Sequence, residues 1–433
     1  MRPKHPPHGA LRRLLQAASA SAAALLIGAC GGGGGDVAGV GTGGTGSFSV
    51  GTVTGFGSVY VNGVRYEDNG ARVLDDDGNQ KVIGTDVNPL QLGMVVEVTG
   101  SIDDSGNVRT ATQISYGAEI KGPVTAVDAA AGSFTVFGIE VRTTSATLYA
   151  NLAGVSALAP GNVVEVHGHP DAAGRIVATL VGREAATVAL FVVGGGEYRL
   201  RGAVAGLSGS NPDYAFAVRG VQVRTSADTR FDGMPAEGVP VALTLQPVVQ
   251  SDGRYLVKRL KLRRSGYDVS GVSEGEVEGY VSEFNASTGT LRVAGYAVRL
   301  AAGVGYEDGV PADLKNGVRV EAKGRIEGGV LVATRIEFES RDRDGDGNDD
   351  DVSGESKELT FKGVATCVSC VGTSGSFTVQ GTRQTRLDYD AATQFEDGLS
   401  GSTLNGRAVE VKGVAVSGAS GSVYRATRIK LDD

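Results

Sequence analysis

An all-β chain of about five small antiparallel barrels in tandem is the architecture the sequence predicts, on three observations. The first is a recurring octapeptide: Gly, two variable residues, Val, Glu, a small apolar residue, one variable residue, Gly. It reads GMVVEVTG from Gly93, GNVVEVHG from Gly161, GVRVEAKG from Gly317 and GRAVEVKG from Gly406. A degenerate copy, GVPVALTL from Gly238, keeps the apolar positions and loses the Glu and the final Gly. The second is that each copy sits in the same succession of five short strands broken by Gly, Asp and Asn. The third is that no segment after residue 30 sustains a helical period. Helix is confined to about one turn near Ala150–Leu158 and another near Pro311–Lys315.

Each module opens on a strand such as IKGPVTAV, LRGAVAGL, VEGYVSEF or FKGVATCV. A second strand follows (SVYVNGV, SFTVFGIEV, YAFAVRGVQV), then a third that ends in turns such as TRFDG or TQFEDG. The octapeptide is the fourth strand. Its apolar pairs, Val96/Val98, Val164/Val166, Val241/Leu243, Val320/Ala322 and Val409/Val411, face inward, because side chains alternate across a strand. The alternate positions face outward and include Glu97, Glu165, Glu321 and Glu410, read as structural groups in cross-strand ion pairs or hydrogen bonds on the barrel surface. The bounding Gly fits a tight turn or a sharp bend at a barrel corner. A last strand (VRTATQIS, IVATLVG, LVKRLKL, VLVATRIEF, YRATRIKL) completes the unit.

A module of about 70–80 residues buries only about 60% of its unfolded surface. Closure removes exposed edges, so five strands point to OB-like barrels. The modules fall near 48–118, 119–187, 198–264, 275–340 and 358–433. Phe134, Phe216 and Phe377 lie on core-facing strands and fill the barrels. The third module departs at its octapeptide, and the first carries an odd insert around Asp75–Asp77.

The leading G-x-V, the middle F-x-V-x-G, the G-x-x-V-E-V-x-G and the closing A-T-R-I together resemble the bacterial envelope proteins called DUF5666. The resemblance covers nearly all of the chain after the signal, most clearly its fourth and fifth modules. It implies a fold and a place in the envelope. The family is named for having no known function, so the resemblance carries no catalytic residue.

Residues 1–29 read as a lipoprotein signal peptide, with a basic stretch (Arg2, Lys4, Arg12, Arg13), an apolar run and Leu26-Ile27-Gly28-Ala29 before Cys30. Cys30 then carries a covalent lipid, and the Gly-rich residues 30–47 form a tether. Gly rather than Asp after Cys30 fits outer-membrane sorting, with a periplasmic or surface-exposed chain. No later run approaches the roughly 18 apolar residues of a membrane span.

Four constellations invite chemistry. Residues 341–357 are acidic, and Asp342, Asp344, Asp346 and Asp350, with the carbonyl of Asn348, match the oxygen spacing of a Ca²⁺ loop. Position 12 is Ser353, with Glu355 nearby; a solvated acidic linker is the other reading, and both stay open. Cys367-Val-Ser-Cys370 follows a strand rather than opening a helix, and an oxidising envelope favours a disulfide across a turn. His167 and His169, with Asp171, offer a metal cluster or, more plainly, a solvent-facing strand end. The four repeated Glu recur per module, whereas an active site is usually single.

No nucleophile elbow, phosphate loop or zinc-protease motif is present, so an enzyme is not expected. A net charge of −8 argues against a nucleic-acid partner. The expectation is a non-enzymatic outer-membrane lipoprotein, a rod or flexible string of barrels. It meets an envelope protein or polysaccharide and the membrane through its lipid. The alternative is a lipoprotein that binds a glycan or small solute through one divergent module, the third being the candidate.

Overall fold

The computed structural model describes residues 45–103, 105–106, 108–263, 266–267, 271–339, 358–418 and 421–432. The segment read as a signal peptide, Cys30 and the residues Asp342, Asp344, Asp346, Asn348 and Asp350 read as a Ca²⁺ loop lie outside the described residues.

Five barrels follow one another, spanning 45–116, 120–185, 198–262, 272–338 and 359–431. Barrel 2 sets the pattern with strands Ile120–Asp128, Ser133–Val136, Ile139–Arg142, Val163–Pro170 and Ile176–Ala185. The first pairs with the second, the second with the third, and the fourth with both the first and the last, all antiparallel. One parallel seam, Val141 opposite Ile176, joins third to last and shuts the barrel. The same circuit closes barrels 3, 4 and 5 through Val223–Tyr255, Val298–Leu331 and Leu387–Tyr424. In barrel 1 the parallel seam onto the last strand is made by the bridge Glu67–Thr110 and the short ladder from Arg72–Gln113 to Leu74–Ser115. Closure leaves no strand of the circuit without two neighbours, which is how so short a unit avoids an open edge.

The octapeptide strand drives this closure. Its inward pairs are buried in every barrel, from Val96 and Val98 to Val409 and Val411. Phe134, Phe216 and Phe377 are buried among them. The final Gly of the repeat sits at a β-bulge in the pairing with the last strand, after Thr99, His167, Lys323 and Lys412. There a carbonyl of the partner strand occupies the space a Cβ would need at Gly100, Gly168 and Gly324. The extra residue bends the strand, which a barrel of this size requires.

Helix is scarce. Short 3-10 turns occupy Val155–Ala157 and Pro311–Asp313. An α-helix over Val188–Val193 was not expected; Thr187 caps it by accepting from the Leu190 N–H, and Gly194 ends it. Its Val-rich sequence carries no helical period for a pattern search to find. Among the described residues no helix is long and apolar enough to cross a membrane.

The barrels do not form the expected string. The leading strand of barrel 1, Thr45–Phe56, starts inside the segment read as tether. It ladders in parallel with Val272–Asn285, the leading strand of barrel 4, from Gly46–Val272 to Val50–Val277. Its far end pairs in parallel with the leading strand of barrel 5 at Gly55–Thr360 and Phe56–Phe361. The leading strands of barrels 2 and 3 pair at Arg199–Lys121 and Leu200–Ile120. The cores merge accordingly. Barrels 1 and 5 share one apolar cluster, barrels 2 and 3 another, and Phe48 and Val50 of barrel 1 complete the core of barrel 4.

Candidate functional site

The repeated Glu is the natural starting point, because the fold places it at one register in each of the four modules that carry it. It stands opposite the residue that precedes the leading-strand Gly. In barrels 2 and 5 that residue is a lysine: Glu165 faces Lys121 and Glu410 faces Lys362. Both pairs form ion pairs, and Lys362 also reaches Asp432 at 2.6 Å. Despite burial, which pushes it up, the Glu165 carboxyl is held well below the usual carboxylate range by His167 and Lys121. Burial likewise opposes the Glu410 shift, and Lys362 pulls that carboxyl down.

Barrel 3 breaks the pattern. Arg201 occupies the cation position, and Ala242 stands where the Glu is lost. The carboxylate comes instead from barrel 1. The acidic insert is the turn of a hairpin between Arg72–Leu74 and Gln80–Val82, and its Asp76 accepts from Arg201. Next to it, Asp77 pairs with Arg199 and accepts from Thr244 Oγ1 at 2.9 Å. The odd insert and the degenerate octapeptide are therefore two halves of one contact.

In barrels 1 and 4 the outward Glu turns into a junction between barrels. Glu97 accepts from the Tyr296 hydroxyl of barrel 4 at 2.8 Å and lies 3.9 Å from Arg263. Glu321 is only 4% exposed, so its expected place on the barrel surface is corrected. It faces another carboxylate, Glu278, across the ladder. Glu278 is fully buried and paired with Arg319, while Glu321 pairs with Lys323 at 2.7 Å. Asn62 of barrel 1 donates to Glu321 at 3.3 Å, and the Thr52 N–H donates to Glu278 at 3.3 Å. Burial and the neighbouring Glu276 push the Glu321 carboxyl up to about 8. A proton held there is chemically apt. Glu276 accepts from Arg109 through one oxygen, and its other oxygen, Oε1, has no other donor.

The turn between second and third strands selects the neighbour. Its first residue folds back over the leading-strand Gly: a Cβ at Gly122 would lie inside the Phe137 ring, and one at Gly51 inside the Asn62 amide. That residue varies between modules. Asn62 reaches barrel 4. Phe137 packs on Tyr198 and Tyr255 of barrel 3, with ring centres 5.1 and 5.2 Å apart. Arg219 donates back to Glu119 and to the Gly174 carbonyl of barrel 2.

The histidines are not solvent-facing, which corrects that expectation: His167 and His169 are 1% and 2% exposed. His167 bonds Glu165 at 3.0 Å, and His169 meets Thr52 of barrel 1 at 3.3 Å. Asp171 is engaged by Arg175 at 2.7 Å instead. At His169 the face that alternation sends out of barrel 2 is covered by barrel 1. Cys367 and Cys370 form a disulfide, with S–S 2.20 Å. Among the described residues no group of three or more His, Cys, Asp or Glu is arranged to hold a metal ion.

A family model described as "Domain of unknown function (DUF5666)" matches residues 49–115, 121–182, 278–337 and 367–430. Those stretches fall on barrels 1, 2, 4 and 5; the divergent barrel 3 lies outside them. No curated protein matches the chain. Nine chains among solved structures match it, these two among them. One is titled "drosophila Unr CSD456", 16% identical over 54% of this chain and 96% of that one, with a TM-score of 0.14. The other is a multidomain protein with nucleic acid binding domains from Streptococcus pneumoniae, 9% identical over 54% of this chain and 73% of that one, with a TM-score of 0.12. The expectation that nucleic acid is excluded as a partner is corrected, since a matching structure carries such domains by its title. Physically, a net charge averages over all faces and says nothing of any single one. Likeness at these scores assigns no partner to this chain.

Proposed function

The chain belongs to the DUF5666 family, and from that premise we propose that it is a non-enzymatic, lipid-anchored outer-membrane lipoprotein, a modular structural and interaction protein of the cell envelope. The observation that carries this reading is the use the barrels make of their outward polar groups. Glu97, Glu321, Asp76 and His169 are each spent on a neighbouring barrel. Groups committed to such pairs serve the joining of the barrels. The contact of the third module with barrel 1 gives its divergence a structural reason, which supports this reading over a ligand site there. Anchoring rests on Cys30 and the signal before it. The acidic residues Asp342, Asp344, Asp346, Asn348 and Asp350 would take up Ca²⁺ between barrels 4 and 5.

The test is metabolic labelling with a fatty-acid analogue, followed by crosslinking in intact envelopes. Label on the wild type and none on Cys30→Ser is expected, together with one stoichiometric crosslinked partner. An unlabelled wild type overturns the anchor; recovery of the bare protein overturns the interaction role.

A further inference from the structure

Barrels 1, 2 and 5 enclose a cleft of about 510 Å³ that none of them forms alone. Two ties hold its walls together. Arg383 of barrel 5 donates to the Leu90 carbonyl of barrel 1 at 2.6 Å, and Ala150 of barrel 2 bridges to Gly421 of barrel 5. The floor is apolar, with Phe56 and Leu148, and Tyr149 stands at one side. The rim is polar: Gln91 from barrel 1, and Gln384, Arg386 and Asp388 from the third strand of barrel 5. The size falls within the range of small-molecule sites, roughly 300–1,000 Å³.

We infer that this cleft binds a saccharide carrying a carboxylate. The rim mixes donors with acceptors. Sugar hydroxyls do both, so amides, a guanidinium and a carboxylate together suit them. Arg386 is exposed; its Nη2 donates to Ser376 at 3.1 Å and its Nε faces Asp388, which leaves the Nη1 edge of the guanidinium for an anionic group. Asp388 lies 4.0 Å from that guanidinium and accepts a hydrogen bond from a sugar hydroxyl. The apolar floor meets the C–H face of a sugar ring. A single-stranded nucleic acid would ask for successive exposed aromatic platforms, but Tyr424, also in the cleft wall, packs on Phe361 with ring centres 5.5 Å apart. This inference goes beyond the envelope role and depends only on how the three barrels meet.

Calorimetry on the full chain in detergent tests it, with an oligogalacturonate, the neutral maltohexaose and an oligo-thymidylate as probes. The expected result is saturable binding of the oligogalacturonate, tighter than that of maltohexaose. Arg386→Ala and Asp388→Ala should each weaken it about tenfold or more. Arg230→Ala, on the exposed surface of barrel 3, should leave it unchanged, with unfolding midpoints equal in all four proteins. No saturable binding of the acidic probe, wild-type affinity in Arg386→Ala, or tighter binding of oligo-thymidylate overturns the proposal. None of those results touches lipid labelling or the crosslinked partner.

Discussion

Asp76 of barrel 1 accepts two hydrogen bonds from Arg201 of barrel 3, at 2.9 Å from Nε and 2.6 Å from Nη2. Burial raises the Asp76 carboxyl, but Arg201 outweighs it and the net shift is downward. Removing one partner strands a mostly buried charge. Asp76→Ala should therefore cost about 3 kcal/mol or more in urea unfolding. Since Ala242 stands opposite Arg201 where other barrels carry Glu, Ala242→Glu in the Asp76→Ala background should recover about half of that loss. Absence of recovery would mean that the exchange of carboxylates between barrels is not what the pairing achieves.

The two repeated carboxylates at Glu321 and Glu165 should give stability opposite pH dependences. Glu321 sits near 8 when folded, against 4.5 as the reference. The folded state therefore binds the extra proton, and the stability it contributes is full below about pH 4.5 and lost as pH rises through 8. Glu165 is depressed, so its contribution is present above 4.5 and lost in acid. Chemical denaturation from pH 5 to 9 should show a decline that Glu321→Gln flattens and Glu165→Gln leaves in place.

Phe48 belongs to barrel 1 in sequence and to barrel 4 in packing, where it meets Tyr267 and Tyr296 with ring centres 5.5 and 5.7 Å apart. Phe48→Ala should cost about 3–5 kcal/mol. Hydrogen exchange should locate the damage: amide protection falls along Val272–Asn285 and holds in barrel 2.

The Cys367–Cys370 disulfide closes a loop with a sequence separation of only three. So short a loop removes little unfolded-state entropy, about 2 kcal/mol or less. The double Ser variant should unfold at nearly the wild-type denaturant midpoint, and a large drop would indicate that the bridge holds native packing.

Within a single barrel the sequence was highly legible. Alternation in the octapeptide placed Val164 and Val166 inside and Glu165 outside because a strand has only two faces. The limit lay one level up. "Outside" meant solvent in the reading of His167 and His169 and the barrel surface in that of Glu321, whereas all three are buried, and His169 and Glu321 meet barrel 1. Nothing local to His169 announces Thr52, more than a hundred residues earlier in the chain. Asp75–Asp77 was visible as an anomaly without a reason, since its reason, Arg199 and Arg201, lies in a different repeat. The helix at Val188–Val193 escaped because β-branched residues favour strand and its single buried side chain, Phe191, makes no pattern.

The leading strand Thr45–Phe56 gives the molecule a mechanical character. Tension entering the described chain at Thr45 runs along the axis of this strand. On one side lies the antiparallel ladder with Val95–Ile102, and on the other the parallel ladder with barrel 4. Rungs perpendicular to a pull are loaded together, in shear, rather than opened one after another. Force is thus shared at the point of entry between two barrels far apart in sequence, and the chain should yield there at a higher load than a single barrel peeled from its end.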